Sequence, residues 1–170
     1  MADGLKKTSS TIVIGASVTE SAPNTFTEAR IDLQLNPLDN EVFVVTAVNL
    51  DVTPPDAIAA TNTSTSGSIS TTSLTGMGSL AQSQVLAVSN DAIRAAGFVD
   101  GGVGFQRASM ETPPAGLDYI GIIATNDFFL QVEGLANLLA KGMTAKVYGY
   151  RARASAATYA ALVQSEVLSS

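Results

Sequence analysis

The sequence predicts an all-β chain built from antiparallel strands, and three observations carry that reading. Apolar and polar residues alternate in run after run, the pattern of a strand with one face buried. Val, Ile, Thr, Phe and Tyr are concentrated in those runs, as a pleated, half-buried surface favours. The runs are short, separated by turn residues and spaced about 8 to 12 residues apart, which fits a sandwich or barrel.

The first expected strand covers 10–18, "STIVIGASV". Lys6 and Lys7 ahead of it imitate the start of a signal peptide, but the apolar patch is short, alternates, and is interrupted by Gly15 and Ser17, so it reads as a strand. In "EARIDLQL" (28–35), Ala29, Ile31, Leu33 and Leu35 share one face while Glu28, Arg30, Asp32 and Gln34 share the other. "NPLDN" (36–40) supplies a turn, with Pro37 preset for its first corner. "EVFVVTAVNLDV" (41–52) places Val42, Val44, Thr46, Val48 and Leu50 on one face and Phe43, Val45 and Ala47 on the other. It is therefore apolar on both sides for half its length, and with 28–35 it is expected to form a hairpin. "LDYIGII" (117–123) and "DFFLQVE" (127–133), joined through "ATN", predict a second hairpin. "MTAKVYGYRARA" (143–154) opposes Lys146, Tyr148 and Tyr150 to Val147, Arg151 and Arg153. Weaker strands are expected at 83–89 and 103–110.

Helix signals are few. "SNDAIRAAG" (89–97) has a cap at Ser89 or Asn90 and a stop at Gly97. "EGLANLLAKG" (133–142) spaces Leu135, Leu138 and Leu139 helically before Gly142. The C-terminal helix is expected over 155–168, capped by Ser155, with Tyr159, Leu162, Val163 and Glu166 along one side.

Composition narrows the chemistry. The 170 residues suit one domain over 1–170, and an apolar share of 46% argues against disorder. Charged residues are only 14%, so solubility as a lone monomer has thin support and partners are expected to cover some surface. Net charge of −6 argues against a general nucleic-acid binder. No apolar run reaches the about 18 to 20 residues of a membrane-spanning helix. The absence of His and Cys removes the usual zinc ligands and the Ser-His-Asp and Cys-His nucleophile systems. No enzyme, no metal, no cofactor and no small-molecule substrate are expected.

Weak motifs have plain readings beside the functional ones. "DGGVG" (100–104) lacks the Lys-Ser/Thr ending of a phosphate-binding loop and reads as a turn entering a strand. Asp118, Asp127 and Glu133 surround the second expected hairpin, without the ordered spacing of a calcium loop. "NTS" (62–64) is a formal glycosylation acceptor with no secretory signal to support it. Lys141, Lys146, Arg151 and Arg153 are four of the nine basic residues, with no acid between Glu133 and Glu166. They form a candidate basic patch for phosphate groups of a genome or lipid heads; the plainer reading is a strand face paired with neighbouring acids.

With its alternating strands "EARIDLQL", "EVFVVTAV", "LDYIGII", "DFFLQVE" and "KVYGYRARA" and a short basic arm at 1–9, the chain resembles single jelly-roll virus capsid proteins. The resemblance implies a jelly-roll sandwich of about eight strands whose subunits tile a shell, in a virion assembled from chains made in the host cytoplasm. It also implies copies of itself as partners, with other virion proteins possible, and weak genome or inner-membrane contact through the basic patch. Expected assembly contacts are Lys6 and Lys7 of the arm, Ile69 and Leu74 of the Ser/Thr-rich stretch 61–79, and Tyr159, Leu162 and Val163 of the C-terminal helix. That stretch is uncharged and reads as a surface excursion within the domain, bent or bulged between Ile69 and Leu74 because an odd separation would send them to opposite faces. Two other classes stay open. One is a binding or decoration module, for carbohydrate or a surface, which a row of Tyr119, Tyr148 and Tyr150 would favour. The other is a filament or pilus-like subunit.

Overall fold

The computed structural model describes residues 4–99, 102–108 and 116–169. They form ten strands and one helix: β1 (Leu5–Lys7), β2 (Ile12–Thr19), β3 (Thr27–Asp32), β4 (Glu41–Val52), β5 (Thr63–Ser70), β6 (Val85–Arg94), β7 (Val103–Ala108), β8 (Gly121–Ile123), β9 (Asp127–Leu135), β10 (Gly142–Ala154) and α1 (Ala156–Ser169). One sheet runs β8-β4-β10, with β1 and β2 sharing the far edge of β10; the other runs β3-β9-β5-β6-β7. Every pairing is antiparallel. The pairs are nested along the chain: β2 with β10, β3 with β9, β4 with β8, β5 with β6, and successive pairs alternate between the sheets.

The two inner faces bury one core, in which Phe43, Val45, Val48 and Val52 of β4 meet Ile69 of β5 and Phe128, Leu130 and Val132 of β9. β4 reaches this core only by changing phase. Tyr148 lies opposite Ala47 but Gly149 lies opposite Val45, which leaves Thr46 as the extra residue of a bulge. Its hydroxyl donates to the Tyr148 carbonyl at 3.1 Å. The sequence puts Val42 and Val44 on one face with Val48 and Leu50; the bulge corrects this, because Phe43 and Val45 are the residues that join Val48, Leu50 and Val52 inside. Gly149 fits the close approach here, since a Cβ would stand 2.6 Å from the Phe43 ring. Val42 and Val44 turn outward and form a second cluster with Leu5, Ala124, Ala152 and Ala154, covered by α1. The doubly apolar strand thus has a sheet on one side and a helix on the other.

Neither expected hairpin forms. β3 bonds to β9 while β4 bonds to β10 and β8, and β8 bonds to β4 while β9 bonds to β3 and β5. Each short link therefore crosses from one sheet to the other, a gap of about 10 Å. Leu33 and Leu35 are buried along the first crossing. The Asn36 side chain then accepts from the Leu38 amide to cap a 3-10 turn, Pro37–Asp39, and Asn40 closes it in the left-handed region. Strand β4, buried on both faces over 42–45, takes hydrogen-bond partners on both edges, which a terminal hairpin position denies it.

Two expected helices are also replaced. Residues 89–94 belong to β6, whose backbone is paired with β5 and β7 on its two sides, so tertiary pairing overrides a local helical pattern. In 133–142, β9 continues through Leu135 and Ala136 turns to φ 56°, which ends any helical course. The segment "DGGVG" enters β7 at Val103, with its first two residues outside the described ones.

Candidate functional site

The basic patch disperses in three dimensions. Lys141 and Arg153 lie near opposite ends of β10, about 40 Å apart along a strand at 3.3 Å per residue. The Lys141 side chain is 5% exposed and its Nζ meets Asp56 at 2.6 Å. Arg151 pairs with Glu41 at 2.9 Å and donates to the carbonyls of Leu33 and Gln34, tying β10 to the crossing after β3. Arg153 pairs with Asp39 at 3.0 Å. Lys146 stays exposed on the outer face of β10. Three of the four cations are thus engaged within the chain, which overturns the expected contiguous patch. The cause is topology: the crossings bring acids from elsewhere in the sequence to an acid-free stretch.

The expected contact residues of the termini are also occupied. In the basic arm, Leu5–Lys7 pairs with Ala152–Ala154 as β1, Leu5 is buried, and Lys7 Nζ stands 4.5 Å from the Tyr150 ring centroid, a cation–π contact. Lys6 remains exposed. In α1, Ser155 Oγ accepts from the Thr158 amide as the helix cap. Tyr159, Leu162 and Val163 pack on the cluster around Val42 and Val44. Glu166 is buried beside them and its carboxylate accepts from the amides of Ala124 and Thr125 at 2.9 and 2.8 Å. The helix face expected to meet a neighbour therefore packs on its own sheet, half-buried. Tyr119 and Tyr150 join the same cluster, so no exposed tyrosine row with Tyr148 exists.

The Ser/Thr-rich stretch is interior over residues 63–72, which corrects the surface reading there, and stays at the surface over 73–79. Residues 63–70 are β5, a central strand of its sheet, and Ile69 is fully buried in the core. A bulge lies where a break was expected: Ile69 opposes Ala87 but Ser70 opposes Val85. Beyond it, residues 71–79 fold over the outer face of the same sheet. Gln131 of β9, wholly buried, accepts from Ser68 at 2.8 Å and donates to Ser70 at 2.7 Å and to Glu28 at 2.9 Å. Glu28 in turn accepts from the Ser73 hydroxyl at 2.5 Å and the Leu74 amide at 2.8 Å, and the Gly78 amide reaches Ser68. Leu74 ends half-buried. Small hydroxyl side chains are what permit this close polar seam between strap and sheet.

A second buried polar cluster organises the pole at the end of β9, and nothing in the sequence pattern marked it. Glu20 accepts from the amides of Thr25, Gly134 and Lys141. Asn137 exchanges two hydrogen bonds with Asn24, accepts from the Asp56 amide and donates to the Ser64 carbonyl. Asp56 accepts from the amides of Leu138 and Leu139, and the Lys141 hydrogen bond, followed by that of Leu138, holds its carboxyl below the usual aspartate range. Leu138 and Leu139 project from this platform 73% and 67% exposed. Leu135, Phe98, Val99, Val103 and Phe105 are exposed at the same end of the sandwich.

Concave surface is found in several other places among the described residues. A groove of about 470 Å³ runs between the strap and β6–β7, lined by Ser66, Ser79, Leu80, Asn90 and Arg107 among others. A smaller apolar pocket of about 280 Å³ lies at the start of β9, between Leu35, Pro37, Ala124, Tyr159 and Val163. Among the described residues, no group of three or more Asp and Glu side chains is arranged to hold a metal ion, and Asp127 is engaged by Arg30 at 2.6 Å. No helix among them is long and apolar enough to cross a membrane. Compared with protein-family models and with curated proteins, the chain matches none.

Proposed function

We propose that the chain is a virion structural protein, a capsid subunit with a single jelly-roll sandwich that self-associates into a shell. The observation that carries the reading is the nested strand pairing. A jelly roll arises when one long antiparallel hairpin is wrapped so that successive strand pairs alternate between two sheets. The pairs β2–β10, β3–β9, β4–β8 and β5–β6 follow that scheme, with β7 added at an edge and β1 prolonging the line of β2. Exposed apolar side chains at the pole of Leu135, Leu138 and Leu139 support a protein whose surface is completed by association. Partners are copies of itself, and other virion proteins. Genome or inner-membrane contact through Lys141, Arg151 and Arg153 loses its basis, since these cations are paired within the chain.

Negative-stain microscopy and light scattering of the purified protein test the proposal. Closed particles are expected; filaments would favour the pilus-like alternative, and a strict monomer across salt and pH would end both. The binding-module reading keeps one observation in its favour, the hydroxyl-lined groove beside Arg107. Selective binding on a glycan array, lost on Arg107→Ala, would support it.

A further inference from the structure

Several cations of this acidic chain are engaged within it. Arg30, Lys141, Arg151 and Arg153 each pair with a carboxylate, and Lys7 rests on the Tyr150 ring. Arg107 of β7 is exposed and has no acid partner among the described residues. It lines the groove of about 470 Å³ between the strap and β6–β7, a volume within the about 300 to 1,000 Å³ of small-molecule sites. No Asp or Glu among the described residues lines that groove. Lys6, Arg94 and Lys146 are exposed too, but line neither this groove nor the pocket at the start of β9.

The register of the sheet sets polar groups at fixed intervals from that guanidinium. Ser66, Asn90 and Arg107 stand opposite one another on three adjacent strands, so at about 4.8 Å per strand they lie about 5 and 10 Å along one row. Asn90 Nδ2 donates to Ser66 Oγ at 2.6 Å, which leaves the Asn90 side-chain carbonyl, its second N–H and the Ser66 hydroxyl proton for a ligand. The facing wall is the strap, held by the Gly78 amide, which donates at 3.2 Å to the buried Ser68 hydroxyl of the Gln131 network. It approaches so closely that a Cβ on Gly78 would stand 2.9 Å from Ser68 Oγ and from a Val85 methyl. Leu80, just past the strap, is 61% exposed, and Phe105, two residues along β7 and so on the same face as Arg107, is 58% exposed.

We infer that this groove binds an acidic sugar, with its carboxylate on Arg107 and its hydroxyls on Asn90 and Ser66. A lone planar guanidinium fits one carboxylate in a two-point contact. Nucleotides and sugar phosphates carry more charge and are held by nests of amides or helix N-termini. Here the amides of Gly78, Ser79 and Ala81 are already given to the side chains of Ser68, Gln82 and Ser79. A fatty acid would cover Asn90 and Ser66 without pairing them, at the cost of their lost hydration. Neutral donors and acceptors 5 to 10 Å from the charge suit hydroxyls spread around a ring, at about one strand spacing each. Leu80 and Phe105 offer apolar surface to the C–H face of that ring. The inference rests on the reading of this groove as a ligand site and is independent of shell assembly.

Titration of the isotope-labelled full chain with sodium glucuronate, followed by its amide resonances, is the test. Saturable shifts are expected at Ser66, Gly78, Ser79, Asn90 and Arg107, with a dissociation constant about 10-fold or more below that for glucose, as a hydrogen bond to a charged group gives. Arg107→Ala should lose that preference and keep the parent's thermal midpoint and its resonances elsewhere, since the side chain is exposed and unpaired. Asn90→Asp, which sets a carboxylate about one strand spacing from the guanidinium, should also weaken glucuronate about 10-fold. Acetate or sulfate binding as tightly as glucuronate would reduce the groove to a bare anion contact and overturn the inference. Glucose binding as tightly at the same resonances would overturn the acidic class and leave the groove a ligand site. No saturable shift with either sugar would remove both readings, and self-association, read by light scattering, would stand or fall separately.

Discussion

Gln131 shows how one buried amide sets the position of a loop far from it in sequence. Its three hydrogen bonds link β5, β9 and β3, and through Glu28 they reach the strap at Ser73 and Leu74. Replacing Gln131 by Leu keeps the volume but leaves Ser68, Ser70 and Glu28 short of a partner, and each unsatisfied buried group costs about 1 to 3 kcal/mol. Urea unfolding of Gln131→Leu should therefore show a loss of about 2 to 4 kcal/mol, whereas exposed Ser73→Ala should stay within about 1 kcal/mol. Asp56 acts at the same scale through its charge. Its folded-state pKa is held below the ordinary aspartate value, so its contribution is complete above that ordinary value and is lost as pH falls through the lower folded one. Asp56→Asn should flatten the acid limb of the urea midpoint measured from pH 6 to pH 2, and leave the shape of the curve near neutrality unchanged.

At the scale of elements, β4 depends on a single extra residue. Thr46 lets one strand serve the core between the sheets on both sides of the bulge, with Val42 and Val44 left for the helix-covered cluster. Deleting Thr46 restores strict alternation and sends either Phe43 and Val45 or Val48, Leu50 and Val52 to the wrong face. The deletion variant is expected to lose near-UV circular dichroism and amide-shift dispersion, the marks of a chain without fixed packing. A native-like spectrum would mean that the register can slip without cost. Strand identity and most strand positions were legible, because alternation needs only local sequence. The bulge was not, because Thr46 is an ordinary strand residue and becomes extra only when Tyr148 and Gly149 set the partner's register. The expected helix at 89–97 failed for a related reason: helical spacing and a cap compete with strands β5 and β7, whose partners lie elsewhere in the chain.

At the scale of the molecule, nested pairing means that β10 is inserted between β2 and β4 and closes the sheet last along the chain. A fold dominated by such distant pairings is expected to form in milliseconds to seconds rather than microseconds, because loop closure precedes most of its favourable contacts. Ending the chain at Lys141 removes β10 and α1 together, exposing Val42, Val44 and the edges of β2 and β4. That truncation should give no cooperative thermal transition by circular dichroism; a retained transition would mean that the remaining strands form a core of their own.

The sequence by itself determined the class of this protein: short alternating strands, an amphipathic C-terminal helix capped at Ser155, a chain without histidine or cysteine, and a break after Ile69. Each of these is a local property, set by side-chain periodicity or by residue type. Only the tertiary structure decided which strands pair, where the cations go and whether the Ser/Thr-rich stretch is surface or interior. Pairing partners, ion pairs such as Lys141–Asp56 and the polar seam around Gln131 join residues scores of positions apart. No window of sequence contains both ends of such a bond, and hydroxyl side chains suit a solvated loop and a satisfied buried strand alike.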